Sequence, residues 1–485
     1  MMMNPKPMKA FSVALSRSAI GLCLLIAGTA SADGGRRRIA EIAPPRIPER
    51  FSAAGRYPTA TVSAPADAWW KIFTDPALDA FVEKARSSNS SLQEAAARLE
   101  KSRALLRGAA AARLPQLGGG GNASHQTGTL INAAGGGGPL FNSGLSLSYE
   151  LDLLGRLSKA KRAARLDAQA SADLLRSARL LIEADTVQTY FEIAALDEER
   201  SILRAAADDL RAALKILESR EGNGLATRFA VNRSRAEVAT LQSDLEDLDR
   251  RRAELVSGLA LLIGEAPSEL EVPGRLGTPP IVPPGLPSTM IARRPDISAG
   301  LRSVEAARAR VGVAKVSWLP SLSLTGDRGF ASPSFQNLLS SATQNFGLGF
   351  LFSIPGLDGG RHKAQVRGAR ADLQLASAQY GTQLLTALRD VESQLSAVRI
   401  LSERAETLRS VADDERSMAA ILQARYSNGL ISQLEHLDGL RVVLEHRRSA
   451  VQVNLARYEA TIGLIRALGG GWDDPAVAAL VASTD

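Results

Sequence analysis

Cysteine is nearly missing from this 485-residue chain, with Cys23 the only one. One thiol can build neither a disulfide framework nor a thiolate metal centre. Histidine is also scarce: His125, His362, His436 and His446 are the whole set. None stands at metal-ligand spacing, and H-E-x-x-H is absent. The glycine runs Gly118–Gly121 and Gly135–Gly138 lack the Lys-Ser/Thr that completes a phosphate loop, and no serine sits in a nucleophile elbow. These absences leave no catalytic, cofactor or metal site to assign. Aromatic residues make up only 5% of the chain, fewer than a globular enzyme's core uses, while Ala, Leu and Arg fill the long segments in the manner of packed helices.

Long apolar runs are missing as well. No stretch reaches the roughly 18 uninterrupted apolar residues of a transmembrane helix. A shorter run, about Ala19 to Ala27, follows Lys6, Lys9 and Arg17 and precedes Ala30-Ser31-Ala32, which together predict a cleaved export signal over 1–32. The mature chain is expected to begin near Asp33. Leu22 stands before Cys23 where a lipoprotein signal wants a small residue, so no lipid anchor is expected. The formal charge of +7 includes the three signal cations, leaving +4 (7 − 3) on the mature chain. Its basic residues alternate with acids along helices, as in Asp244, Glu246, Asp249, Arg250, Arg251 and Arg252, a solvated-face pattern that argues against nucleic-acid binding.

What the chain has is one long duplication. Leu114-Pro115 recurs as Leu319-Pro320, Gly155-Arg156 as Gly360-Arg361, Asn223-Gly224-Leu225 as Asn428-Gly429-Leu430, and Gly264 as Gly469, each at an offset of 205 (319 − 114, 360 − 155, 428 − 223, 469 − 264). A period that long means two half-domains rather than a short solenoid unit. The expected organisation is an N-terminal segment over 33–89, a first copy over 90–265, a Pro-rich connector over 266–296, a second copy over 297–468 and a tail over 469–485. Trp69-Trp70 with Phe73 are expected to anchor a small mixed domain around the middle of the helices.

Between Arg156 and Arg220 there is no proline or glycine, and apolar residues keep helical spacing. At 1.5 Å per residue this predicts a rod on the order of 100 Å, repeated over Arg361–Arg425. Helices of that length need lateral partners. Leu92 to Arg113 with Thr227 to Ile263, and Ile297 to Trp318 with Ser432 to Leu468, supply them. Each rod ends at Asn-Gly, where Gly224 and Gly429 suit a left-handed turn that Leu225 and Leu430 are expected to cover. Thr227 caps the first return helix, and Ser432-Gln433-Leu434-Glu435 spells a capping box for the second.

Strands are expected at Gly144–Leu151 and Asn345–Phe352, where apolar residues alternate with small or polar ones, each preceded by a weaker strand at Gly120–Leu130 and Leu322–Phe330. Leu145, Leu147, Tyr149, Phe346, Leu348 and Phe350 would form the apolar face. Lengths near ten residues suit tilted membrane strands, and four strands are too few to close a barrel, so several chains would have to share one. Two soluble hairpins capping a helical bundle remain the alternative.

Trp69-Trp70, Asp75-Pro76-Ala77-Leu78, Tyr149-Glu150-Leu151-Asp152, Arg293-Arg294-Pro295-Asp296-Ile297, Pro355-Gly356-Leu357-Asp358-Gly359-Gly360-Arg361 and Arg425-Tyr426, on the duplicated frame, resemble the TolC-like outer-membrane factors, NodT-type efflux channels among them. The resemblance implies a mainly helical fold with a membrane β-barrel portion: a homotrimer whose twelve shared strands form one barrel in the outer membrane of a Gram-negative bacterium, continued by an α-helical tunnel through the periplasm. It implies a passive exit duct for drugs, other small toxic compounds or metal ions, serving a periplasmic adaptor and an inner-membrane pump of the RND type, without cofactor. A type I protein secretion outlet and a soluble periplasmic coiled-coil adaptor are the alternatives. It also implies a periplasmic gate at Glu435 and Asp438. Three residues apart on one helix face, they would bring six carboxylates together in a trimer and raise some of their pKa values. The first copy carries Ala230 and Arg233 at the equivalent positions, and Arg233 is expected to pair with a neighbouring acid. The tips Asn223, Gly224, Leu225, Asn428, Gly429 and Leu430 would dock the adaptor. The lipobox cysteine usual in the NodT-type relatives is missing here.

Overall fold

Helix ends organise this molecule. The computed structural model describes residues 47–53, 57, 68–126, 138–267, 270–283 and 287–471. The expected signal segment, Cys23, Asp33, Leu130 and residues 472–485 lie outside them. All described residues belong to one unit, Ala43–Asp485.

Two helices of 67 residues dominate, α3 (Arg156–Gly222) and α7 (Arg361–Ser427). Each starts after a glycine in the left-handed region, Gly155 at φ 72° and Gly360 at φ 92°, a conformation that a side chain would strain. An acid just upstream satisfies the orphan N–H groups of the first turn. Asp152 accepts from the Leu157 and Ser158 amides at 2.9 and 2.7 Å, and Asp358 from the Gly360 and His362 amides at 2.9 and 2.7 Å. Those bonds hold the Asp358 carboxyl below its ordinary pKa, the His362 amide contributing most. The Gly-Arg landmarks are thus helix starts whose capping acid lies two or three residues before the glycine.

The shorter helices are α1 (Pro76–Ser88), α2 (Ser90–Ala111), α4 (Arg228–Leu262), α5 (Pro287–Arg293), α6 (Pro295–Val316) and α8 (Gln433–Leu468). Helices α2 and α4 pack on α3, while α6 and α8 pack on α7. Two short helices flanking each rod is the arrangement expected from their lengths. The rod α3 also packs on α6 and α8, so the copies interlock within one chain.

Near the middle of α3 the core is aromatic. Phe191 meets Tyr458 of α8 at 4.2 Å between ring centroids, and Trp69 and Trp70 are buried. The Trp69 indole donates to Glu183 Oε2 at 3.1 Å, Arg86 reaches the other Glu183 oxygen at 3.4 Å, and the Arg86 guanidinium lies 5.2 Å from the Trp70 ring centroid. Tyr190 donates to Asp75, whose other oxygen caps α1 through the Ala77 amide. The Trp-Trp and Asp-Pro motifs therefore fasten one segment to α3. The small mixed domain expected here contains helix and extended chain but, among the described residues, no strand. Its connector, 270–283, is held by bonds to side chains instead, as where the Gly277 amide donates to the Tyr458 hydroxyl at 3.0 Å.

One antiparallel sheet has the order β1-β2-β3-β4, built of β1 (Gln116–Gln126), β2 (Gly138–Leu151), β3 (Ser321–Ser332) and β4 (Gln344–Ser353). Strand β1 starts earlier than Gly120, because Gln116 and Leu117 already pair with Ser148 and Leu147, and its expected end at Leu130 lies outside the described residues. Strand β2 starts six residues earlier than Gly144 (144 − 138), and the low-propensity glycines are tolerated because a neighbouring backbone needs their space. A Cβ on Gly144 would stand 2.8 Å from the Arg328 carbonyl oxygen. The two hairpins share one register: Gln116↔Ser148 and Ser321↔Ser353 both differ by 205 (321 − 116, 353 − 148).

Candidate functional site

The register assigns every strand residue to one of two faces. One carries Leu117, Leu145, Leu147, Tyr149 and Leu151, then Leu322 and Leu324, then Phe346, Leu348, Phe350 and Phe352. The other carries Asn122, Ser146, Ser148, Thr325, Asp327 and glycines. On the apolar side Phe346, Leu348 and Phe350 are 76%, 69% and 72% exposed in the single chain. Strands β1 and β4 are each paired on one side only. The sheet thus has one greasy, exposed face and two open edges.

At the far ends of the rods the two tips repeat one turn. Gly224 and Gly429 adopt φ 71° and 70°, and the Leu225 and Leu430 amides close the turn onto the Arg220 and Arg425 carbonyls at 2.8 and 2.9 Å. The expected cover is missing. Leu225 and Leu430 are 78% and 73% exposed, since the turn swings them away from the preceding helix.

The return helices differ in their caps. Thr227 Oγ1 accepts from the Ala230 amide at 3.3 Å, whereas Ser432 and Glu435 make the full capping box. Glu435 accepts from the Ser432 amide at 2.8 Å and from its hydroxyl at 2.9 Å. These bonds, the backbone one first, lower the Glu435 pKa. The rise expected from six converging carboxylates would belong to an assembled ring and has no counterpart in one chain. Asp438 takes a different partner: Arg233 Nη2 reaches its Oδ1 at 3.1 Å. The structure thus brings Arg233 and Asp438 together, while Glu435 turns back to its own helix start.

Sequence reasoning missed what surrounds that pair. Arg441 bonds Glu237 at 2.7 Å, and Arg448 bonds Glu199 at 2.7 Å and Asp244 at 3.5 Å, so charges from opposite copies pair repeatedly between α8 and the α3–α4 hairpin. The offset of 205 carried the signal, since Arg233 and Asp438 are counterparts (438 − 233). His436 was also missed. It is buried, its ring stacks on Tyr426 at 4.7 Å and 5°, and burial lowers its pKa against the bond to the Leu422 backbone. No local spacing announces a stack formed across a turn.

The chain belongs to the outer membrane efflux protein family, which matches residues 81–265 and again 286–470, at the same offset of 205 (286 − 81, 470 − 265). Within that family it is the outer-membrane channel component of a tripartite efflux system. It is a passive channel and not an enzyme, works with an RND inner-membrane pump and a periplasmic adaptor, and extends a long helical portion into the periplasm. The chain is similar to the pyoverdine export outer membrane protein OpmQ of Pseudomonas aeruginosa, 29% identical over 434 residues, 87% of this chain and 90% of that protein. It is similar to the cation efflux system protein CusC of Escherichia coli O6:H1, 26% identical over 430 residues, 88% and 93% of the two. Among solved structures, the outer-membrane channel OprN superposes with a TM-score of 0.81 at 27% identity over 90% of this chain and 99% of that one. The open state of the Neisseria gonorrhoeae MtrE outer membrane channel gives 0.75 at 25% over 89% and 98%.

Proposed function

We propose that three copies of this chain close one twelve-stranded barrel through the free edges of β1 and β4, with the apolar face toward lipid and the Asn, Ser, Thr and Asp327 face lining the exit. The observation that carries this reading is the pairing of two open edges with one exposed apolar face. Closure of the sheet removes both liabilities at once. The exposed Leu225 and Leu430 at the tips then offer apolar anchors to a helical adaptor partner. The Arg233–Asp438 pair, close behind them, ties the two return helices of each protomer and holds the periplasmic end narrow, with Glu435 adding charge beside it. The cargo is a small compound or a metal ion: relatives are named for pyoverdine export and for cation efflux. The domain boundaries given above, and a mature start near Asp33 without acyl chains, belong to the same reading.

The test is assembly. Cysteines placed at Gly118 on β1 and Gly349 on β4, which share the polar face and have room for a Cβ, report the edge contact by crosslinking in outer-membrane fractions. Ladders ending at a heat-modifiable trimer are expected. Monomers alone, or products longer than three chains, would sink the shared barrel.

A further inference from the structure

One charge breaks the apolar face of the sheet. Arg328 of β3 pairs with Leu145 on one side and Phe346 on the other, and falls in the row Leu322, Leu324, Gly326, Arg328, Phe330. Its side chain is exposed, and no ion pair or hydrogen bond of it occurs among the described residues. The neighbouring Asp327 stands on the opposite face, against Gly347. Strand β3 is an inner strand with partners of the same chain on both sides, so a neighbouring copy's strand does not lie against it. The corresponding position in the first copy is Ala123 (328 − 205), which means that the architecture itself does not require a cation here.

Depth decides what such a residue can do. An arginine on the lipid face is costly at mid-bilayer and nearly free close to an interface. Arg328 lies six residues beyond Leu322, roughly 14 Å at 3.3 Å per residue and a 45° tilt, and only four residues from the outer strand end at Ser332. Below Leu322 and Phe352 the apolar surface continues through exposed Ile354 and Leu357, toward the periplasm. Arg328 therefore sits in the outer half of the band, where its stem can lie along apolar surface and its head can rise to the headgroup level. One pair-step further out, the same face offers Ser143 and Gln344, both opposite Phe330. A cation with a hydroxyl and an amide one pair-step beyond it supplies the donors a phosphate oxygen recruits.

Resting on the barrel reading above, we propose that Arg328, with Ser143 and Gln344, binds the phosphate of a lipid headgroup in the outer leaflet. The test uses the full-length protein in detergent and measures, by native mass spectrometry, its retention of phosphatidic acid against diacylglycerol, the same lipid without phosphate. The wild-type chain should prefer phosphatidic acid, and Arg328→Gln should lower that preference about fivefold, the equivalent of roughly 1 kcal/mol for one basic group at an anionic surface. Arg328→Lys should keep part of it and controls for folding. Equal retention of both lipids, or an undiminished preference in Arg328→Gln, would overturn the site. Displacement of bound phosphatidic acid by millimolar inorganic phosphate would make it a free-anion site and overturn the lipid assignment. Quenching of a Phe350→Trp fluorophore by brominated acyl chains separates the two claims. Quenching without phosphate preference removes this site and leaves the barrel standing, and no quenching removes both.

Discussion

The two copies share a backbone plan and diverge in side chains, most clearly at their tips. Both rods end in the same left-handed glycine turn, yet the first return helix opens with Thr227, Ala230 and Arg233, and the second with Ser432, Glu435 and Asp438. Equivalent positions thereby carry opposite charge and pair with each other at 3.1 Å. Duplication supplied the geometry, and divergence turned a pseudo-symmetric contact into a salt bridge.

The strands give the largest test of that equivalence. Leu147 and Phe352 are counterparts (352 − 147 = 205) on the apolar face, both on the inner side of Arg328, so arginine at either should cost about 2–4 kcal/mol if both meet lipid near mid-bilayer. Trimer yield after denaturant titration of the folded channel checks this. Loss at one site and tolerance at the other would break the equivalence of the hairpins in the membrane.

Glycine replacement at the tips comes next. Gly224→Ala and Gly429→Ala force a Cβ into the left-handed region, at a cost of about 1–2 kcal/mol each. Because the surroundings of both are open, the two penalties should match in a thermal melt monitored at the tips. The caps should then separate the copies. Ser432→Ala removes the bond its hydroxyl accepts from the Glu435 amide and the one it donates to the Glu435 carboxylate, while the Ser432 amide keeps its bond to that carboxylate, and the loss should exceed that of Thr227→Ala, within the roughly 0.5–2 kcal/mol range for lost caps. Equal losses would mean that the hydroxyl's bond to Glu435 contributes nothing to the cap.

A pH effect is expected at the second tip, where His436 stands at the position of Val231 in the first copy (436 − 205). Burial keeps the folded His436 pKa below its unfolded value of about 6.5. The unfolded tip therefore takes up a proton that the folded tip resists. The stabilisation is complete above that value and declines as pH falls below it toward the folded pKa. Hydrogen-exchange protection at the second tip, corrected for the intrinsic exchange rate at each pH, should fall between pH 7.5 and pH 5.5, and His436→Phe, which keeps a ring against Tyr426, should abolish the difference. A fall in protection that persists in the variant would place the proton elsewhere.

The smallest stability change and a distinct functional one are expected at the gate. Glu435→Gln with Asp438→Asn removes two charges per chain, and since the Arg233–Asp438 pair is largely exposed its loss should cost no more than about 1 kcal/mol. In planar bilayers, conductance and its block by multivalent cations should nevertheless change. Wild-type conductance and block in the double variant would move the constriction elsewhere along the helices.

Much of this was legible in the chain. The landmarks at 205, the uninterrupted rods, the Asn-Gly stops, the capping box and the alternating strands follow from short-range rules, in which a residue's own conformational preference and its neighbours within four positions suffice. Strand limits were less legible, because Gly118–Gly121 has poor strand propensity and pairs only through its backbone with β2. The exposure of Leu225 and Leu430 was missed because a turn motif fixes the backbone and leaves the direction of the following side chain open.

By itself the sequence determined the duplication, the helix and strand periods and the caps, since each is encoded within one or a few turns of chain. Only the tertiary structure decided that Asp438 meets Arg233 while Glu435 folds back on Ser432, that His436 stacks on Tyr426, and that Arg328 stands on the apolar face away from Asp327. Those outcomes depend on which residues from segments far apart, or from either side of a turn, arrive at the same place. That is set by packing and register, and one residue of slip in a strand would have sent every side chain to the other face.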